Sequence, residues 1–302
     1  MSARQDFALV LWIEFFEDLE HVRGRSLNTV MAYRRDLELW LTYKQNNHSI
    51  LQFYDFMKKQ GLSPRSQARV ISSLRTYYKY IEANGHDAPE LRELKTPKLK
   101  MTLPKVLSSE DFFKLLQSCQ VEHQEKTLRN QLVLLFLYGL GCRVSELVGL
   151  NLHDYSASGK WVKILGKGNK ERIVPLTETL SNHLDQYLKV ARPVLLKEAS
   201  TSILVNDRGH RPSRVDIWRW LAQWSKNAGF SEPVNPHRFR HGCATVLLEN
   251  GADLRSIQMI LGHSSLQTTQ IYTQVSTTKM KQAIDDHHPL SGIEADDFIE
   301  EL

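Results

Sequence analysis

Six side chains between residues 108 and 286 have the types that phosphoryl transfer requires. They are Arg143, Lys167, His237, Arg240, His263 and Tyr272. Paired guanidinium groups clamp phosphate oxygens, lysine and histidine move protons, and tyrosine can serve as a covalent nucleophile. No carboxylate cluster that would hold Mg²⁺ accompanies them. The set favours metal-free phosphoryl transfer on a polyanion, through a phosphotyrosine.

Each of these residues also fits an ordinary structural role when it is taken by itself. Arg143 leaves an apolar segment and needs a partner, because an unpaired buried charge is costly. That partner is either Glu146, three residues further on, or a phosphate. In the second case Glu146 would orient the guanidinium towards the phosphate. Lys167 lies between two glycines and also fits a plain charged turn, and a single tyrosine such as Tyr272 also fits a core.

Metal binding is a weaker interpretation of the histidines. His237, His241, Cys243 and His263 include zinc-binding side-chain types, but nothing in the set has the spacing of a zinc site. We therefore expect no metal and no cofactor. A cysteine at 243 would also be a point of oxidation near the site.

Helices are expected to carry the two arginines. Residues 127–141 predict a buried helix that ends just before Arg143. His237 and Arg240 are three residues apart, so they share one face of a helix. The segment 177–286 is mostly helical in pattern.

A β-hairpin is expected to carry the lysine. Residues 161–165 and 172–174 have the alternation of strands, and a Gly-Lys-Gly-Asn turn separates them. Lys167 then lies at the tip. We expect Lys170 and Arg172 of the same hairpin to contact a polyanion.

Four helices are predicted in the N-terminal third, over 4–22, 26–43 and 49–60 and from Ser63 onward, with Pro64 in the first position of the fourth. The fourth helix has an apolar face and an opposite face that is basic. The basic face consists of Arg65, Arg69, Arg75 and Lys79. A face of one sign favours a polyanion over plain solvent.

The rest of the chain divides around these parts. Residues 1–91 are expected to form a helical domain, 92–107 a basic linker with two prolines, and 108–286 a second domain. Lys98 and Lys100 of the linker are further candidates for contact with a polyanion. The segment 287–302 has acidic residues and no Lys or Arg.

Composition sets broad limits. The 302 residues carry 39 Lys and Arg against 34 Asp and Glu, a net charge of +5. The three cysteines lack disulfide spacing, which favours a reducing compartment, and no apolar run is long enough to cross a bilayer. We expect a cytoplasmic, nucleoid-associated protein and exclude a disordered or collagen-like chain.

Four sequence segments together resemble the tyrosine recombinases of the phage-integrase family, bacterial Xer type. They are GCRVSELVGL, GKGNKERIVPL, NPHRFRHGCATVLLENGADLRSIQMILGHSSLQTTQIYT, and Ser26-x-x-Thr-x-x-x-Tyr-x-x-Asp-Leu. The resemblance covers about 5–288. It implies a mainly α, two-domain fold: a four-helix SAM-like core-binding domain and a mostly helical catalytic domain with a small antiparallel sheet, closing as a C-shaped clamp on DNA.

The resemblance also implies a role for each site residue. Arg143 and Arg240 would bind the scissile phosphate, with Glu146 beside the first arginine. Lys167 would protonate the 5′-oxygen leaving group and His237 would assist proton transfer. His263 would hydrogen-bond the phosphate, and Tyr272 would be the nucleophile. Strand cleavage and religation would then need no metal and no ATP.

Partners follow from the same resemblance. The implied substrate is a double-stranded recombination site, and the implied assembly is a homo- or heterotetramer with a related XerC/XerD-like recombinase. Activation by an FtsK-like cell-division DNA translocase is possible, and no membrane is involved. The acidic tail 287–302 would dock on a neighbouring subunit. The expected task is to resolve chromosome dimers at a dif-like site. Alternatives are a phage or mobile-element integrase and a type IB topoisomerase.

Overall fold

The protein consists of two compact units, Met1–Leu103 and Pro104–Leu302. The structure is a computed structural model, and it describes residues 11–44, 50–88, 106–166, 169–262 and 274–290. Within these ranges no helix combines the length and the apolar character needed to cross a membrane.

Every regular element described in the first unit is a helix. Helix α1 covers 11–17 and continues as a π-helical turn. The bounds of the turn and of the next three helices are Asp18–Val22, α2 Leu27–Lys44, α3 Ile50–Lys59 and α4 Pro64–Ala83. Ser63 accepts a hydrogen bond from the Ser66 amide and caps α4, with Pro64 in its first turn, as expected for a helix start. The predicted four-helix domain is confirmed.

Aromatic side chains dominate the core of this unit. Phe15, Trp40 and Phe53 are fully buried, and the Trp40 and Phe53 rings meet edge to face with centroids 4.7 Å apart. The Trp40 indole N–H donates to the Tyr78 hydroxyl at 2.8 Å. Large aromatic rings on neighbouring helices thus fill a small core, and the polar N–H and O–H groups of these side chains form hydrogen bonds.

The second unit is also mainly helical. Its helices are α5 Ser109–Ser118, α6 Gln124–Gly139, α7 Val144–Gly149, α8 Glu178–Gln186, α9 Arg192–Leu195, α10 Arg214–Asn227, α11 Pro236–Glu249, α12 Leu254–Leu261 and α13 Gln274–His287. A π-helical segment, Tyr187–Ala191, joins α8 to α9. Helix α6 is buried on every side from Thr127 onward, so it is the central element around which the others pack.

A three-stranded antiparallel sheet interrupts the helices. Its strands are β1 Tyr155–Ser156, β2 Trp161–Leu165 and β3 Glu171–Pro175, in the order β1-β2-β3. The β2–β3 pair is the predicted hairpin. The short β1 has no clear sequence pattern.

Two predicted boundaries need correction, because residues at both ends of this unit belong to its core. Leu107, assigned to the linker, is fully buried in the core. His288 and Leu290, assigned to the acidic tail, are buried too, and the His288 Nε2–H donates to the Gly139 carbonyl at 2.5 Å. The predicted start of the tail at 287 is therefore too early, because residues up to Leu290 belong to the core.

Two buried histidines predict loss of stability in acid. Burial lowers the pKa of His183 and of His288 to about 4. In the unfolded chain these histidines have a pKa near 6.5. Below that pH the unfolded state therefore binds more protons than the folded state, and stability falls as the pH drops from 6.5 towards 4. From pH 6.5 to 5 we expect a loss of roughly 2 kcal/mol for each histidine, measured by urea unfolding.

His183→Gln should reduce this pH dependence of unfolding by about half. A free energy of unfolding that stays flat between pH 6.5 and 5 would contradict the prediction.

Candidate active site

Arg143 is the N-cap residue of α7, and the loop before it depends on a glycine. Gly141 has φ +54°, in the left-handed region that glycine adopts without strain. A Cβ at this position would lie 2.4 Å from Leu261 Cδ2. The loop that carries Arg143 therefore lies tightly against the end of α12.

Glu146 is the buried centre of the site. Its Oε1 accepts from Arg143 Nη1 at 2.8 Å, and its Oε2 accepts from the Arg143 backbone N–H at 2.9 Å. Burial alone would raise the pKa of Glu146, but the hydrogen bonds and charge of Arg172 and Arg143 outweigh it, and the pKa is lowered. The carboxylate stays ionised at neutral pH and orients Arg143, as predicted from their spacing of three.

Arg172 corrects one of the sequence predictions. It was expected to contact DNA, but its side chain is only 5% exposed and forms a two-pronged ion pair with Glu146. The alternation of β3 explains this: Arg172 and Val174 point to the same, buried face, as residues two apart in a strand must. This buried pair is what the sequence reasoning missed.

Arg240 is held by backbone carbonyls. From α11 its Nη1 donates to the Gly141 carbonyl at 2.6 Å and its Nη2 donates to the Leu261 carbonyl at 2.5 Å. Burial, followed by the nearby charge of Arg143, lowers the pKa of Arg240 to about 10, so the group is still charged at pH 7. The structure thus brings together Arg240, Arg143 and the Glu146–Arg172 pair.

The two histidines and the one cysteine of α11 differ in exposure. His237 and His241 are exposed, and His237 lies one turn before Arg240. Cys243 is buried against the Gly139 carbonyl. Among the residues that the structure describes, no group of three or more His, Cys, Asp or Glu is placed to hold a metal.

The suggested oxidation of Cys243 is wrong. Burial raises the pKa of its thiol, and that of the neighbouring Cys142, to about 12. The reactive thiolate is therefore scarce, and both thiols are inaccessible to solvent.

Several predicted site residues lie outside the described residues. They are Lys98, Lys100, Lys167, His263 and Tyr272. Two of their neighbours are described, and both are glycines next to the buried ion pair. A Cβ on Gly166 would lie 3.6 Å from Arg172 Nη1, and one on Gly262 would lie 3.0 Å from the same atom. Lys170, at the far side of the turn, is exposed.

The basic face of α4 is only partly free. Arg65 and Lys79 are exposed, and Arg75 is half-buried. Arg69 is 50% exposed, but its Nη1 forms an ion pair with the buried Asp36 of α2 at 2.5 Å. Asp36 thus neutralises one of the four charges that the sequence of α4 alone presents as a uniform face.

Comparison with known proteins identifies the family. The model of the Phage integrase family matches residues 105–279, and that of the Phage integrase N-terminal SAM-like domain matches 13–85. Tyrosine recombinase XerD of Listeria innocua is 39% identical over 292 residues, spanning 91% of this chain and 97% of its own. The chain belongs to the tyrosine recombinase family. This recombinase is an enzyme that cleaves and rejoins DNA.

Further relatives agree with this assignment. Tyrosine recombinase XerD of Staphylococcus haemolyticus is 36% identical over 288 residues, 91% of this recombinase and 97% of that protein. Lambda integrase bound to DNA has a TM-score of 0.65 at 16% identity, covering 85% of this chain and 93% of that one. XerH recombinase bound to a palindromic difH substrate has a TM-score of 0.64 at 22% identity, covering 87% and 81%. At these identities the structural likeness concerns the fold alone.

Proposed function

We propose that this recombinase resolves chromosome dimers at a dif-like site before cell division. In each strand exchange Tyr272 attacks the scissile phosphate and forms a 3′-phosphotyrosyl bond, while the bond to the 5′-oxygen breaks. A 5′-hydroxyl of the partner duplex then attacks that phosphorus and releases the tyrosine. One phosphoester replaces another at every step, so no ATP is consumed. Two such exchanges pass through a Holliday junction.

The pre-oriented pair of guanidiniums carries this proposal. Arg143 is held by Glu146, and Arg240 is held by the Gly141 and Leu261 carbonyls. Donors that are fixed before the reaction stabilise the charge that develops on phosphate oxygens without reorganising. In the proposal His263 donates a hydrogen bond to the same phosphate, Lys167 gives the 5′-oxygen its proton, and His237 assists proton transfer. Metal and ATP independence belong to the same proposal.

DNA binding is proposed for the basic side chains that remain accessible. Arg65, Lys79 and Lys170 are exposed, and Arg69 and Arg75 contribute their accessible parts. Lys98 and Lys100 stay candidates from the sequence. Because such contacts release counterions from the duplex, affinity should fall steeply as salt rises. The arrangement of the two units as a clamp around DNA stays a prediction.

Assembly and regulation complete the proposal. The recombinase acts as a tetramer, with itself or with a related XerC/XerD-like recombinase, in the nucleoid of the cytoplasm. An FtsK-like DNA translocase activates it. The tail after Leu290 docks on a neighbouring subunit, for which Ile293, Phe298 and Ile299 supply apolar anchors among acidic residues. The XerD names of the curated relatives support the Xer type.

Replacing Tyr272 with phenylalanine should abolish the covalent protein–DNA complex. The substrate is a suicide duplex that carries a dif-like site with a nick near the cleavage position, incubated in EDTA. The phenolic oxygen is the atom that forms the new bond, so its removal leaves no nucleophile. We expect a covalent band with the wild-type protein and none with Tyr272→Phe, read on a denaturing gel.

Tyr33→Phe is the matched control, because the contact of its hydroxyl with Thr76 is long, at 3.5 Å, and it should cleave as the wild type does. If the wild-type protein forms a band only after a related recombinase is added, the heteromeric assembly is supported. A band that persists in Tyr272→Phe would refute the assigned nucleophile.

Two alternative activities predict different products. A type IB topoisomerase would relax a supercoiled plasmid that has no dif-like site, whereas the proposed recombinase would leave it supercoiled. A mobile-element integrase would join an element's attachment site to the chromosome and would fail to exchange strands between two dif-like sites. A plasmid with two such sites tests both, with resolved circles as the expected product.

A further inference from the structure

Arg172 makes a set of buried contacts that no surface arginine could make. Its Nη1 and Nη2 donate to the two oxygens of Glu146 at 3.1 and 2.8 Å, and its Nε donates to the Ile260 carbonyl at 2.9 Å. Planar guanidinium geometry allows all three bonds at once, which a lysine ammonium cannot reproduce. A single side chain thus ties strand β3 to helix α7 and to the end of helix α12.

Each of these attachments leads to a residue of the proposed active site. The same Glu146 carboxylate holds the Arg143 guanidinium at 2.8 Å. Ile260 lies at the end of α12, two residues before the left-handed Gly262 cap and three before His263. Gly166, whose amide donates to the Lys170 carbonyl at 2.8 Å, immediately precedes Lys167.

The packing against the guanidinium is close. A Cβ on Gly262 would lie 3.0 Å from Nη1, 3.1 Å from Cδ and 3.2 Å from Cζ of Arg172. The backbone that leads into His263 therefore rests directly on the arginine. Gly166 lies slightly further away, since its Cβ would be 3.6 Å from Nη1.

We propose that Arg172 is a positioning residue for strand cleavage: its buried pairing with Glu146 and its bond to Ile260 fix Arg143 together with the described residues just before Lys167 and just before His263. The inference rests on the proposed function for the roles of those three residues. It requires no contact between Arg172 and DNA, because the guanidinium is buried and its three described bonds are internal.

A purely structural role for Arg172 and a role in DNA contact would each give a different result. If Arg172 only held the fold together, its replacement would lower stability and leave cleavage by the folded protein unchanged. If it contacted DNA, its replacement would weaken binding and reduce the salt dependence of affinity. A positioning role instead lowers the rate of cleavage in the bound complex and leaves the affinity for DNA in place.

The experiment compares Arg172→Lys with Arg192→Lys in the full-length protein. Arg192 is also a buried arginine, whose Nε and Nη2 donate to the Ser202 and Ser200 carbonyls at 2.9 and 2.6 Å, and it has no part in the site. Both variants lose planar hydrogen bonds and should lose similar stability. Each is measured below its own melting temperature, with circular dichroism to show that it is folded.

Three readouts are taken for each variant: affinity for a duplex with a dif-like site, the salt dependence of that affinity, and the single-turnover rate of covalent complex formation at saturating DNA. For Arg172→Lys we expect affinity within about threefold of the wild type, an unchanged salt slope, and a cleavage rate lower by roughly a hundredfold, as when one preorganised donor is lost. For Arg192→Lys we expect a rate within about threefold.

A second variant keeps the test decisive if Arg172→Lys does not fold. The variant Arg172→Gln keeps a hydrogen-bond donor towards Glu146, whose carboxylate stays paired with Arg143 at 2.8 Å. It should fold, bind DNA and cleave at least a hundredfold more slowly. Folded Arg172 variants that cleave at the rate of Arg192→Lys, or that lose affinity while keeping their rate, would overturn the inference. Failure of the wild-type protein to form the covalent complex would instead count against the proposed function.

Discussion

Replacing Arg240 with alanine is expected to slow formation of the covalent complex by about a thousandfold while DNA affinity changes less than tenfold. Arg240 is fixed by the Gly141 and Leu261 carbonyls, so its remaining N–H donors are aimed before substrate arrives. In the proposed function its charge acts on the phosphate as negative charge moves onto the oxygens, which is a contribution to rate rather than to binding. The measurement is single-turnover cleavage of a suicide duplex at saturating protein.

Lysine should not rescue this position, because its compact ammonium lacks the planar fork whose two nitrogens reach the Gly141 and Leu261 carbonyls and leave further donors for a phosphate. Arg238→Ala is the matched control. Arg238 lies on the same helix, half-buried, with its Nη2 4.0 Å from Asp111, and we expect its replacement to leave cleavage near the wild-type rate. Equal losses in the two variants would mean that α11 responds to any lost charge, and the specific role of Arg240 would have to be abandoned.

Replacing Gly141 with alanine should both destabilise the protein and slow cleavage. The residue has φ +54°, and its new Cβ would lie 2.4 Å from Leu261 Cδ2. Backbone strain and overpacking together should lower the free energy of unfolding by about 2–4 kcal/mol. Because the Gly141 carbonyl binds Arg240 and its loop leads to Arg143, the rate of cleavage should fall as well, measured at a temperature where the variant is folded.

Gly149→Ala gives the matched control at the other end of α7. A Cβ there meets nothing within 4 Å, and Gly149 is the last helical residue. Alanine should be neutral or stabilising by roughly 0.5 kcal/mol, since it restricts the unfolded chain more than glycine does. If the two variants unfold at the same urea concentration, the tight approach of Gly141 to α12 is not a determinant of stability.

Much of the fold could be predicted from local patterns. Ser63 and Pro64 mark a helix start by their chemistry, and the buried run that ends at Gly139 marks the central helix of the second unit. The pairing of Arg143 with Glu146 follows from a spacing of three. These features depend on residues that are near one another in the chain, where side-chain types limit the possible structures.

Long-range pairing is what the sequence could not supply. Arg69 meets Asp36 across 33 residues, and His288 meets Gly139 across 149. Arg172 is an intermediate case. Its burial could be predicted locally, because the alternation of β3 already places it beside Val174 on the buried side. The hairpin's basic composition suggested DNA contact, but strand periodicity was the better guide, and it left only the identity of the partner, Glu146, open.

The lowered pKa of Arg240 has a consequence for evolution. Burial and the charge of Arg143 both disfavour its protonated form, so the active site of the free protein holds like charges close together at the expense of stability. An uncharged residue at this position would avoid that cost, so the arrangement is of the kind that selection for activity, rather than for stability, retains. A substrate phosphate supplies the missing negative charge and, like any ligand that binds only the native state, adds to its stability. Variants selected for heat resistance alone would therefore be expected to lose Arg240 early, trading catalysis for a more durable fold.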